Sequence, residues 1–260
     1  MLRGVLTLVV LSGTAIPQDL TNSLQKALAL FNSGKYQECL AVVAPYVEQH
    51  PDSAEAHKIL GMDEFMLGDQ AKALQEVKLA TDLAPRDATA FYYLGRLYFT
   101  ADNPVDALAA FRKAVDLNPS DVRFYHHLGQ TYEALTHQSD AEQAYQKAIA
   151  LGANQQKKWE WPYYSLGLLY LNGGRTDDAV TCFRQAIACN PAFCEGRIKL
   201  AQVLADRKLF SEALDLLQQA VKIEPSNAEA HYRLGLLLAK CKRPEEAQEQ
   251  FALFEKYRKP

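Results

Sequence analysis

Residues 88–121 read ATAFYYLGRLYFTADNPVDALAAFRKAVDLNPSD, and the reading of this stretch decides the fold. Phe91, Leu94, Gly95 and Tyr98 recur at three- and four-residue spacing, which marks one face of a helix. Asn103-Pro104 breaks the pattern, and Pro104 suits the first turn of a following helix. Ala107, Leu108, Phe111, Ala114 and Val115 then form a second stripe. Asn118-Pro119 closes it, because proline disfavours helical geometry at the residue before it. The stretch is a pair of helices joined by a short turn. Gly95 and Ala107 let the two approach closely in antiparallel fashion, while Tyr98 and Phe111 fill the space alongside.

The same design extends in both directions. Pro51, Pro85 and Pro119 are 34 residues apart, and so are Pro191 and Pro225. A small residue keeps that rhythm at Ala27, Gly61, Gly95, Gly129, Gly167, Ala201 and Gly235. A second small series runs Cys39, Ala73, Ala107, Ala141, Ala179, Ala213, Ala247, and a bulky one Val43, Val77, Phe111, Tyr145, Phe183, Leu217, Phe251. All three step by 34 except for one shared step of 38 between the fourth and fifth copies. Three series in one register, with one common insertion, define an internal repeat. A single hairpin cannot bury its apolar faces alone, so neighbours must stack. In the fourth copy Ser139 and Glu142 have the spacing of a capping box for the second helix. Glu64 stands where the other copies carry an aromatic residue or leucine.

This pattern resembles the tetratricopeptide repeat family. The likeness rests on the Leu-Gly pairs 60-61, 94-95, 128-129, 166-167 and 234-235, on Tyr98, Tyr132 and Tyr170, and on the alanines and closing prolines. It covers residues 20–260 as seven repeats, 20–53, 54–87, 88–121, 122–155, 160–193, 194–227 and 228–260, with an insertion at 156–159. The resemblance implies an all-α, right-handed superhelical solenoid whose first helices line a concave groove that holds a peptide or protein segment. One subclass of the family grips carboxylates with lysine and asparagine. Here the matching places hold Leu24, Leu28, Lys58 and Met62, so that mode is not supported.

On this phasing the groove presents Leu24, Leu28, Phe31, Met62, Phe65, Met66, Tyr92 and Phe99 toward the N-terminal side. Arg96, Arg123, His126, Gln130 and Glu133 form a polar middle, and Trp161, Tyr164, Leu168, Asn172, Ile198, Gln202, Tyr232 and Leu236 follow. Large exposed apolar patches mark interaction sites, and aromatic residues dominate binding hot spots. Trp159 and Trp161 cluster at the insertion, either as plugs of an altered junction or as an anchor for a partner or glycan.

Catalysis needs convergent groups. His126 and His127 are adjacent and diverge on a helix, and His57 and His231 fall in different repeats. No metal-ligand spacing or phosphate-cradling loop occurs, so the expectation is a non-enzymatic interaction scaffold that uses no cofactor or metal. The alternatives are a regulatory subunit of an enzyme complex and a self-assembling structural scaffold. The balance of 28 basic and 31 acidic residues argues against nucleic acid as partner.

The first residues, MLRGVLTLVVLSGTA, place Arg3 before a short apolar run and the small residues Gly13 and Ala15 after it. This reads as a cleavable export signal at 1–15, followed by a lead at 16–19, and implies a periplasmic or secreted, bacterial protein. The alternative is a cytoplasmic protein whose hydrophobic N-terminal helix packs on its own fold. The apolar run is too short for a membrane anchor. Five cysteines do not make a disulfide framework. Cys39 and Cys182 read as small core residues, and Cys189 and Cys194 are close enough to bridge.

Overall fold

A computed structural model describes residues 18–153, 155 and 159–258. The expected export signal at 1–15, and residues 156–158 of the insertion, lie outside the described residues. Among those described the chain is helical, with no strand. It divides into two compact units, one ending at Leu97 and the other beginning at Tyr98.

The first unit contains α1 (Gln18–Asn32), α2 (Tyr36–Gln49), α3 (Ala54–Leu67), α4 (Gln70–Leu83) and most of α5 (Ala88–Thr100). α1 pairs with α2 and α3 with α4, and the two hairpins pack through α2 on α3. Their shared core holds Ala27, Cys39, Val43, Ile59 and Leu60, with Leu24, Leu28 and Phe31 against it.

The second unit contains α6 (Pro104–Leu117), α7 (Val122–Ala134), α8 (Gln138–Ala153), α9 (Glu160–Asn172), α10 (Thr176–Cys189), α11 (Cys194–Asp206), α12 (Phe210–Ile223), α13 (Ala228–Lys240) and α14 (Pro244–Tyr257). Hairpins α7–α8, α9–α10, α11–α12 and α13–α14 follow one another, each second helix resting on the next first helix.

Each hairpin closes where a residue without bulk faces a bulky one. A methyl group added to Gly129 would fall 2.5 Å from the Tyr145 ring; one on Gly167 would fall 2.6 Å from Phe183, and one on Gly235 2.7 Å from Phe251. Where the opposing side chain is the smaller Val43 or Leu217, the same place carries Ala27 or Ala201.

The turns obey a rule that the residue types conceal. Gly34, Gly68, Asp102, Thr136, Gly174, Lys208 and Lys242 all have positive φ, and they recur in the repeat's own register. Each is the left-handed residue that reverses the chain between the two helices. Only three are glycine, so four hairpins carry the steric cost of a side chain there.

First helices start from side-chain caps. Ser53, Asp121 and Asn227 each accept a backbone N–H of the first turn, and Asp87 accepts those of Thr89 and Ala90. The expected capping box at Ser139 is not formed. α8 begins at Gln138, which puts Ser139 inside the helix, and Glu142 faces the next hairpin instead. There it accepts from the Tyr170 hydroxyl at 2.8 Å and from Arg175 at 3.1 Å, while the Arg175 guanidinium lies 3.9 Å over the Tyr170 ring. All five cysteines are free, with Cys39, Cys182 and Cys194 buried.

Two substitutions check these readings by chemical denaturation. Gly129→Ala forces the buried Tyr145 ring to move and destabilises by about 1–2 kcal/mol, the overpacking cost less the gain in helix propensity. Thr136→Gly relieves a β-branched residue at φ 62° and stabilises by about 1 kcal/mol.

Candidate functional site

In the first unit the structure gathers several predicted groove residues around one ring that the sequence reading passed over, Tyr93. Its centroid lies 6.4 Å from that of Phe31, 6.5 Å from Phe65 and 5.3 Å from Tyr92, all edge-on. The Arg96 guanidinium caps the cluster, 4.6 Å from the Phe65 ring and 5.2 Å from Tyr93. The expectation that Met62 and Tyr92 present their side chains to a partner is corrected here. They are 5% and 3% exposed, and Tyr92 is itself part of this ring cluster. Leu28, Phe31 and Phe65 are half-buried, and Met66 is exposed.

In the second unit the polar middle of the expected groove is engaged within the chain. Arg123 pairs at 2.6 Å with Asp121, the cap of its own helix. Glu133 accepts from the Tyr145 hydroxyl. His126 shares a 3.0 Å hydrogen bond with Ser165 of α9, between neighbouring first helices, and lies against the rings of His127 and Tyr145. Burial, with His127 adding to it, pushes the His126 imidazole down to about 3. A ring held neutral by burial and tied to Ser165 serves the packing. Gln130 and Phe99 are half-buried.

The outward face continues on α9, α11 and α13. Trp161 is 42% exposed, Tyr232 38% and Leu236 37%. Trp161 stands edge-on to Tyr164 at 5.8 Å and to Phe193 at 5.0 Å, and Tyr164 meets Phe193 at 5.3 Å. Tyr232 rests on Phe254 at 5.0 Å. Ile198, expected on this face, is buried. Burial raises the Tyr164 hydroxyl above its usual range, and the carboxylates of Glu195 and Glu229 add to the shift. Between α11 and α13 lies a cavity of about 110 Å³, bordered by Gln202, Ala205, Arg233, Leu236 and Lys240.

Phe193 is the second residue that the sequence reading missed. It occupies the place where Ser53, Asp87, Asp121 and Asn227 cap the other first helices. An aromatic residue at a capping position was the available signal. Trp159 makes the same exchange at α9. It packs over Gly152, and its indole N–H donates to Gln155 at 3.0 Å. So Trp159 plugs the altered junction, whereas Trp161 faces outward.

The remaining histidines named by the sequence do structural work. His57 bridges Glu76 at 2.5 Å and the Pro51 carbonyl at 3.0 Å. His231 repeats the arrangement with Gln250 at 2.8 Å and the Pro225 carbonyl at 2.9 Å. Among the described residues no group of His, Cys, Asp or Glu side chains could hold a metal ion, and no helix is long and apolar enough to cross a membrane.

Family models described as tetratricopeptide repeat match residues 24–88, 88–121, 122–154, 162–193 and 228–255, and one described as TPR repeat matches 201–240. The chain belongs to the tetratricopeptide repeat family. A search of curated proteins finds no match to it. Among solved structures it is similar to the APC/C hetero-tetramer Cut9-Hcn1, with a TM-score of 0.72 and 18% identity over 92% of this chain and 46% of that one. The chain thus spans about half the length of that protein. It is also similar to pilF of Pseudomonas aeruginosa, with a TM-score of 0.69 and 18% identity over 80% of this chain and 93% of that one. YrrB, a TPR protein with an unusual peptide-binding site, matches with a TM-score of 0.52 and 22% identity over 70% of this chain and 91% of that one. These likenesses establish the fold, a solenoid of stacked helical hairpins. Such a fold serves in general as a protein–protein interaction scaffold.

The buried state of His126 has a direct readout. Its ring resonances stay those of neutral imidazole between pH 8 and pH 5 in NMR titration. Because the unfolded chain protonates His126 near its ordinary 6.5, its contribution to stability is complete above that pH and declines as pH falls toward 3.

Proposed function

We propose that the second unit is a non-enzymatic adaptor that holds a protein or peptide segment on the face formed by α9, α11 and α13. One observation carries this reading. Trp161, Tyr232 and Leu236 are large, apolar and exposed, and each lies on the first helix of its hairpin at a position the repeat register assigns to the groove. Exposed aromatic side chains on rigid helices offer contact area at little conformational cost. The cavity beside Leu236 has room for one aliphatic side chain, and Arg233 and Lys240 stand at its border. YrrB, similar in fold, is described as having a peptide-binding site, which agrees with this reading. In the first unit Tyr92 and Met62 are committed to packing, so the proposed site does not use them.

The same proposal places the adaptor outside the cytoplasm. The charge, apolar run and small residues of positions 1–15 support export.

A photo-reactive amino acid at Tyr232 or Leu236, expressed in native cells, is expected to crosslink a discrete protein. The exposed Lys113 of α6 serves as the control position. Trp161→Ala with Tyr232→Ala should keep the helical circular dichroism and reduce capture at Leu236 at least about tenfold, as loss of two hot-spot residues implies. Equal crosslinking at Lys113, or undiminished capture by the double variant, overturns the site. The intact mass of the recovered chain reads the export proposal, which requires a species starting near Ile16.

A further inference from the structure

Asp63 and Glu64 are neighbours on α3, and the repeat register puts both in places built for apolar side chains. The counterparts of Asp63 in later repeats are Leu97, Thr131, Leu169, Val203 and Leu237, all buried. Those of Glu64 are Tyr98, Tyr132, Tyr170, Leu204 and Leu238. The chain buries the two acids as it buries those residues, leaving Asp63 0% and Glu64 8% exposed. Neither carboxylate oxygen of Asp63 has a hydrogen-bond partner, and neither does Oε2 of Glu64. An ionised carboxylate in such a place lacks both water and a compensating donor, a costly state that protonation removes.

We propose that the joint between the first two hairpins, α1–α2 and α3–α4, is a proton-operated latch, closed when Asp63 and Glu64 hold their protons and loosened when they release them. The groups around the pair leave little other means of relief. From α2, the Cys39 thiol and the Leu40 amide favour the ionised Asp63 carboxylate, but burial outweighs them, and neither oxygen has a hydrogen-bond partner. Burial first, and then Asp63, pushes the Cys39 thiol up to about 12, so it stays protonated. From α4, Glu76 faces Glu64 with like charge, although it is held by His57 at 2.5 Å. Among the described residues Lys72 of α4 is the cation whose charge acts on Glu64, and it is tied to Asp69 at 2.8 Å in the preceding turn, where Asp69 adds further negative charge. α1 brings Leu24, Leu28 and Phe31 to this joint, and its Lys26 is exposed. Arg96 of α5 lies over aromatic rings.

Burial raises Asp63 from 3.8 to about 6, and burial with the charges of Glu76 and Asp69 raises Glu64 from 4.5 to about 7. The folded joint therefore keeps protons that the opened chain gives up. Its stability is greatest at acid pH and falls as pH rises from about 4 to about 7, beyond which it levels off. Opening separates α2 from α3 and uncovers Ile59 and Leu60 of the shared core.

Hydrogen exchange of the α2 amides, corrected for the intrinsic effect of pH on exchange, tests the latch in the full chain. Protection in α2 is expected to fall at least about tenfold between pH 5.5 and 7.5, because the closed joint binds each proton about a hundredfold more tightly than the open one and much of that difference is lost across this range. Asp63→Asn with Glu64→Gln removes the titration at nearly constant shape and should flatten this dependence. Asp63→Leu with Glu64→Tyr, restoring the residue types of other repeats, should keep α2 protected at both pH values. Constant protection in the wild-type chain overturns the proposal. So does an unchanged pH dependence in the Asn/Gln variant, which would place its source outside the two acids. If the Leu/Tyr variant fails to fold, the Asn/Gln variant still decides.

Discussion

Two helices can lie side by side only as close as their largest facing side chains allow. Every described hairpin of the second unit from α7 onward meets this constraint by pairing a residue without bulk with one that fills the space. Tyr145, Phe183 and Phe251 sit over glycines, and Leu217 sits over Ala201. In these hairpins glycine lies under an aromatic ring and alanine under leucine, although glycine is the poorer residue in a helix. With the hairpin closed, its two outer faces are set. The face of the second helix must meet the next hairpin, which is why Ala114, Ala148, Ala186 and Ala220 are buried in successive repeats. The first helices keep one side free, and in the second unit Trp161, Tyr232 and Leu236 occupy it.

Much of this was legible in the sequence, because periodic constraints write periodic residues. The small and bulky series set the phase, and α3, α5, α7, α9, α11 and α13 begin at residues 54, 88, 122, 160, 194 and 228. The left-handed turn residue was not legible. It recurs just as strictly, but Asp102, Thr136, Lys208 and Lys242 hide it, since the backbone there tolerates a side chain at modest cost. The candidate site was legible only in part. Register tells which side of a helix a residue occupies, but not how deeply its neighbours cover it. That is why Tyr92, Met62 and Ile198 are buried, while Trp161 and Tyr232 remain outside. The cluster around Phe193 went unread because an aromatic residue stood where a capping residue belonged.

Departures from the repeat carry the most information, and stacked hairpins explain why they survive. In a globular core, two unpartnered buried carboxylates would burden the whole fold. In a solenoid each hairpin contacts only its neighbours, so the cost of Asp63 and Glu64 is confined to one joint. The imidazole of His126 shows the opposite sign. It is buried neutral and bonded to Ser165, so it favours the fold at higher pH and opposes it at lower pH. The two sites lie in different units and act on different joints, so no single pH optimum describes the chain. Acid secures the first hairpin and strains the contact between α7 and α9, whereas neutral pH reverses both. A repeat protein that departs from its own pattern at two such places has local stabilities that can be set independently, which copies that keep the pattern could not provide.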